Sequence, residues 1–154
     1  MTDTQRCLAK YGDPTSKAFE QKYMQLYVFP AWMAKIFPPF AGKPVTRQWV
    51  NKDLIAPLEA VFAELLSTGL YKELKSFDGL WVVRQKRGIA EFSIHAWGLA
   101  LDLNASLNPL GVKWGTRKGM FSAAFLAVWR KHGFTCGADF SRGDAMHFQY
   151  TPIK

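Results

Sequence analysis

Apolar side chains recur at Ile55, Leu58, Phe62, Leu65 and Leu66, the three-to-four spacing of one helix face. The spacing predicts a helix from about Leu54 to Thr68, with Asp53 as N-cap and Pro57 early enough to be tolerated. Gly69 can end it in a left-handed conformation. A second helix is predicted from about Ser122 to His132. Ser122 caps it, Phe125, Val128 and Trp129 face inward, and Gly133 ends it. Arg130, Lys131 and His132 in its last turn complement the negative end of the helix dipole. Residues 1 to about 12 suit a short helix stopped by Gly12-Asp13-Pro14. Leu80 to Arg84, following an Asp78-Gly79 turn, Gly98 to Leu103 and His147 to Thr151 read as strands.

Residues 19 to 50 mix aromatics with Pro and Gly. They are expected to form an ordered, irregular segment over a core, with an interfacial membrane contact as the alternative. No repeat, linker or low-complexity stretch divides the chain. The expectation is one domain over residues 1–154, with its motif-bearing core at about 45–152 and an N-terminal helix and aromatic-rich segment before it. Its fold class is α+β, a small, mostly antiparallel sheet with flanking helices.

Composition narrows this further. With 49% hydrophobic residues, including 12 Phe, 6 Trp and 5 Tyr, the 154-residue chain can fill a sizeable core, which excludes intrinsic disorder. Two cysteines, Cys7 and Cys136, are too few for a disulfide framework. Twenty Lys and Arg against 12 Asp and Glu give a net charge of +8, which favours an anionic partner. These cations are scattered without a recognition-helix or zinc-finger pattern, so no specific nucleic acid is expected. The opening MTDTQRCLAKYGDP holds no apolar core of signal-peptide length, and Lys35, Pro30, Pro38 and Pro39 interrupt the most apolar stretch, Tyr23 to Ala41. A chain made without a built-in export signal and without stable membrane insertion is the expectation.

Nucleophile and nucleotide signatures (G-x-S-x-G, S-x-x-K, Walker A, H-E-x-x-H) are missing. Chemistry therefore concentrates in Ser93 to Asp102 and Asp144 to Phe148. In a strand, Gly98, Ala100 and Asp102 share one face and Leu99, Leu101 and Leu103 the other, so two minimal side chains beside an acid keep space for something. His95 lies seven positions before Asp102, roughly 23 Å if extended, so the chain must bend near Ala96-Trp97-Gly98 if both serve one site. Gly98 permits that bend. Two imidazoles and one carboxylate, His95, His147 and Asp102, are suitable zinc ligands, and three ligands leave an open position for water. Asp144 remains as a general base. Arg84 and Arg87 are candidates to hold a substrate carboxylate or a developing oxyanion.

The pattern S-x-H-x-x-G-x-A-x-D followed by D-x-x-H-F, here Ser93, His95, Gly98, Ala100, Asp102, Asp144, His147 and Phe148, resembles the zinc-dependent D-alanyl-D-alanine peptidase family. Within it, the pattern is similar to the phage endolysin-like L-alanyl-D-glutamate peptidases. The similarity covers about residues 78 to 150 and extends more loosely back to Val50-Asn51-Lys52-Asp53-Leu54. The resemblance implies zinc bound by His95, Asp102 and His147, Asp144 as general base and Arg84 assisting substrate. Asp144, where many relatives carry Glu, favours the endopeptidase branch. The implied protein is a monomeric peptidoglycan hydrolase cutting a stem-peptide bond. It would be made in the cytoplasm and reach the wall once the membrane is opened. A D,D-carboxypeptidase or dipeptidase of the same fold is the rival enzyme, and a non-catalytic zinc-bearing domain, as in hedgehog signalling domains, the rival from another class. Cys136 stands where such relatives often have Trp, and Ala145 where Pro is frequent.

Other residues have two readings. Ser93 either contacts substrate or orients a site residue or turn through a hydrogen bond. Cys136 is a fourth ligand, a nucleophile or a small buried residue. Glu91 and Asp139 are alternative bases, His132 reads as structural, and the Gly111–Gly119 loop with Lys113, Arg117 and Lys118 is either a solvated loop or an anion contact.

Overall fold

The computed structural model describes residues 1–83 and 92–151. Helix α1, Asp3–Tyr11, starts at a capping box in which Thr2 and Gln5 exchange side-chain and backbone bonds, and stops at Gly12 as the sequence predicts. The stretch expected to be irregular is instead built from regular pieces. Ser16 caps α2, Lys17–Tyr23, which runs into β1, Met24–Val28; α3, Ala31–Ile36, and β2, Arg47–Asn51, follow. β1 and β2 pair antiparallel as a separate two-stranded sheet. The prolines that suggest irregularity sit where they do no harm. Pro30 is the N-cap of α3, while Pro38 and Pro39 follow its end. As expected, the segment packs on the core, through Phe19, Tyr27, Phe29, Met33 and Phe37.

Helix α4 spans Lys52–Thr68 and is capped by Asn51, not Asp53. The Asn51 carboxamide accepts from the Asp53 backbone while its Nδ2 donates to the Trp97 carbonyl at 3.0 Å. Asp53 is engaged otherwise, accepting from the Tyr11 hydroxyl at 2.6 Å. Leu54, Leu58, Val61, Phe62 and Leu65 form the buried face, and Gly69 closes the helix in the left-handed conformation. Leu66, counted inward by spacing, is 45% exposed, because the buried stripe runs through Val61 and Leu65 and leaves Leu66 at its edge. Helix α5, Ala123–Lys131, is capped by Ser122 and buries Phe125, Leu126, Val128 and Trp129.

The main sheet has the order β3-β4-β6-β5, antiparallel throughout. β4 is Ala100–Leu103 and β6 is His147–Tyr150, both within the expected strands. β3 is Phe77–Gly79, so Asp78-Gly79 belongs to a strand instead of preceding one. Phe77 pairs with Leu103, and the Asp78 carboxylate accepts from Ser76 Oγ and the Ala105 backbone, which holds this edge in place. Leu80 to Val83 form no strand, and Arg84 lies outside the described residues. β5, Phe134–Cys136, is a three-residue edge strand, too short to show in the pattern. One hydrophobic cluster runs from Cys7 to Phe148, centred on Phe62, Trp97, Phe125, Trp129 and Phe148. No helix among the described residues is long and apolar enough to cross a membrane.

Candidate metal centre

His95 sits in a 3-10 turn, Ile94–Trp97, whose N-cap Ser93 accepts from the His95 backbone N–H at 3.4 Å. The bend that the sequence requires lies at Gly98, with φ +67°. A Cβ there would come within 2.7 Å of the Asn51 backbone nitrogen and of Met24 Cε, so both backbone sign and space demand glycine. Beside the Asn51 Nδ2 bond to the Trp97 carbonyl, the turn is held by Trp97 Nε1 donating to the Gly12 carbonyl, Asn51 N to the Gly98 carbonyl, Trp81 Nε1 to the Ala96 carbonyl and Val82 N to the His95 carbonyl.

The register of β4 on β6 does the rest. Asp102 lies directly opposite His147, and cross-strand partners project to the same face. His147 is the first residue of β6, and its N–H donates to the Asp144 carbonyl at 2.9 Å, which folds the preceding turn onto it. The Asp144 N–H donates in turn to the Gly137 carbonyl.

The resulting geometry is a near-equilateral triangle. His95 Nε2 to His147 Nδ1 is 3.2 Å, and each nitrogen is 3.3 Å from Asp102 Oδ1. Donors about 2.0–2.1 Å from a tetrahedral zinc ion are separated by about 3.3–3.4 Å, so these edges fit one face of such a tetrahedron. Their protonation fits too. His95 Nδ1 lies 2.7 Å from the Leu80 carbonyl, which only accepts, so Nδ1 carries the proton and Nε2 presents its lone pair. Asp102 Oδ1 is buried and finds no hydrogen-bond donor. The His95 lone pair, the second ring nitrogen of His147 and an orphaned carboxylate oxygen facing one another require a shared cation or proton. His95, Asp102 and His147 are the cluster among the described residues able to hold a metal ion.

Burial works against the charged Asp102 carboxylate, but the two imidazole rings 3.3 Å from its Oδ1 outweigh it and hold the group well below the usual carboxylate range. Burial likewise disfavours a charged His95, yet Asp102 raises it above an ordinary imidazole. Asp144 moves the other way: burial lifts its carboxyl above the usual range, opposed by His147 and, more weakly, by His95 and Arg142. Its Oδ2 is 3.9 Å from His147 Nδ1, beside the triangle and outside it.

Beside the triangle opens a cleft of about 810 Å³ lined by Gly111, Lys113, Asp139, Phe140 and Arg142, a size that accommodates a peptide segment. Phe140 borders both, its ring 5.8 Å from that of His147.

The remaining candidates separate cleanly. Arg84, Arg87 and Glu91 lie outside the described residues. Ser93 Oγ accepts from the His95 backbone N–H as the cap of its turn. Asp139 is bound bidentately by Arg130 at 2.9 and 3.0 Å. His132 bonds Glu64, and Cys136 is buried, its thiol pushed up to about 12 by burial and turned toward the Leu126 carbonyl. Sequence reasoning missed Gly137, Arg142, the Leu80 carbonyl and Gln149; only Gln149, two positions from His147 on the same strand face, left a readable signal.

On this α+β fold, a two-histidine, one-aspartate cluster able to hold a metal ion lies beside a partly buried carboxylate able to take a proton. One comparison agrees at the level of family. A family model described as D-alanyl-D-alanine carboxypeptidase matches residues 87–150, the stretch that contains His95, Asp102, Asp144 and His147. The match bears out the resemblance to the D-alanyl-D-alanine peptidase family and supports a peptidoglycan-acting hydrolase. No curated protein and no solved structure matches the chain.

Proposed function

We propose that this chain is a zinc-dependent peptidoglycan endopeptidase that hydrolyses a stem-peptide bond, the L-alanyl-D-glutamate bond, as a monomeric lysis enzyme of the endolysin type. The observation that carries the reading is the triangle of His95, Asp102 and His147 with Asp144 beside it. Those three residues would hold zinc, which supplies a Lewis acid and lowers the pKa of water to about 7 when bound. Asp144, in reach of the same position and with its carboxyl raised by burial, takes the proton of the attacking water and delivers it to the departing amine. Arg84 is assigned to the substrate, and Ser93 keeps His95 in its turn. Arg87 is assigned to a substrate carboxylate.

The domain reading, one peptidase unit over residues 1–154, is part of the same proposal. So is the route: synthesis in the cytoplasm and access to the wall after the membrane is opened. Asp144 at the base position, where many relatives have Glu, supports the endopeptidase branch.

The test pairs metal content with product analysis. Asp144→Asn is expected to retain zinc and lose hydrolysis of purified wall, by more than about 100-fold. His95→Ala is expected to lose the metal. Normal hydrolysis by Asp144→Asn would remove Asp144 as the base. The description of the matched family favours a second reading, a D,D-carboxypeptidase. Cross-linked wall and a peptide ending in D-Ala-D-Ala, incubated separately and analysed by mass, distinguish them; release of D-alanine alone would reject the endopeptidase.

A further inference from the structure

We infer that Gln149 and Asp3 are positioning residues that dictate which nitrogen of His147 faces the metal position, so that the N-terminal helix is part of the metal centre. The inference rests on the reading of His95, Asp102 and His147 as metal ligands. Gln149 Oε1 lies 2.8 Å from His147 Nε2, and Gln149 Nε2 lies 2.7 Å from Asp3 Oδ2. Asp3 is the first residue of α1, and its other oxygen is held by Arg6 at 3.0 Å. His147 and Gln149 are both buried.

The chain of bonds has one polarity, and Asp3 sets it. A carboxylate only accepts, so the amide nitrogen of Gln149 must point at Asp3. Its carbonyl oxygen therefore points at His147, and that oxygen also only accepts. The proton of the neutral imidazole must then sit on Nε2, leaving the lone pair of Nδ1 directed at Asp102 and His95. Leu80 does the same for His95 from the opposite side, through the other ring nitrogen. Ala100 makes room for this arrangement. It lies opposite Gln149 in the β4–β6 register, so its methyl group shares a face with the Gln149 side chain. The small residue on the acid's side of β4 thus leaves space for an amide that serves the ligand.

Partners that orient a ligating histidine are typically worth about 10- to 100-fold in metal affinity. Zinc affinity, measured by competition with a chromophoric chelator, and the visible spectrum of the cobalt(II) form test the inference without reference to turnover. Gln149→Leu is expected to weaken zinc by about 10- to 100-fold and to alter the cobalt spectrum. Gln149→Glu still accepts from His147 but faces Asp3 with a second carboxylate, so it too is expected to bind more weakly. Adding Asp3→Asn supplies a donor again, and the double variant is expected to recover affinity relative to Gln149→Glu alone. Thr2→Ala removes the α1 cap without touching Gln149; it is expected to lower Tm and leave zinc affinity unchanged. Gln149→Leu binding zinc as tightly as the parent, or Thr2→Ala losing as much affinity as Asp3→Ala, would overturn the inference alone. A parent chain that binds neither zinc nor cobalt would overturn the ligand triad, and this inference with it.

Discussion

Gly137 has no side chain because the base and ligand segment occupies the space. A Cβ on it would collide with the Asp144 carbonyl oxygen and come within 3.0 Å of His147 Cβ. Neither neighbour is the loose end of a flexible chain, so the strand start or the turn must move. Gly137→Ala is expected to cost about 1–3 kcal/mol by overpacking and to weaken zinc binding at the same time. Thermal unfolding with and without zinc checks both, and an unchanged zinc-induced gain in Tm would show that the triangle tolerates the shift. Gly137 was invisible in the sequence because its neighbours Asp144 and His147 are brought to it only by the turn. Gly98, by contrast, was legible: a bend was required between His95 and Asp102, and glycine is the residue that bends.

Helix α4 is tied to the His95 turn at its N-terminus by one side chain. Asn51 caps the helix and donates to the Trp97 carbonyl while fully buried. Asn51→Ala removes a cap and leaves a buried carbonyl without a donor, and is expected to cost about 2–3 kcal/mol in denaturant unfolding. The cap was predicted two positions late, at Asp53, because both residues are good caps and only their tertiary partners, Trp97 for Asn51 and Tyr11 for Asp53, separate them. At the other end, Glu64 accepts from Lys131 at 2.8 Å and from His132 at 3.0 Å, joining α4 to α5. These hydrogen bonds hold its carboxyl below the usual range. A lowered carboxylate pKa stabilises the fold above the unfolded value and ceases to do so as pH falls through the folded one. The Tm difference between the parent and Glu64→Gln is therefore expected to be present near neutral pH and to shrink toward acid pH. A difference independent of pH would assign the effect of Glu64 to packing.

Across the molecule, the net charge of +8 has a consequence for the proposed action on an anionic wall. Exposed charges are screened with a Debye length of about 10 Å at 0.1 M salt and about 3 Å at 1 M. Cosedimentation with purified wall is expected to fall as salt rises, while hydrolysis of a short neutral peptide changes little. Retention that is indifferent to salt would place recognition in the cleft beside Phe140 instead of in the overall charge. The segment before β2 also acquires a role at this level. It lies outside the matched residues 87–150, yet α1 reaches the centre through Asp3 and supports Trp97 through the Gly12 carbonyl.

Helices α1, α4 and α5, their glycine stops and the strands β4 and β6 could be read directly from residue order, since each rests on short-range periodicity and caps. The ligand types and the need for a bend between them were readable for the same reason: donor chemistry belongs to single residues, and an extended chain has a calculable reach. Convergence was not readable. The β4–β6 register sets Asp102 against His147, and register depends on pairing between strands more than 40 positions apart. The short strands β3 and β5, and the order imposed on residues 19–50, exist because neighbours in space complete them. The polarity of the imidazoles likewise rests on contacts spanning 15 and 146 positions: Leu80 to His95, and, for the orientation inferred for His147, Asp3 to Gln149. Local preference places an element; only packing across the chain aims a lone pair.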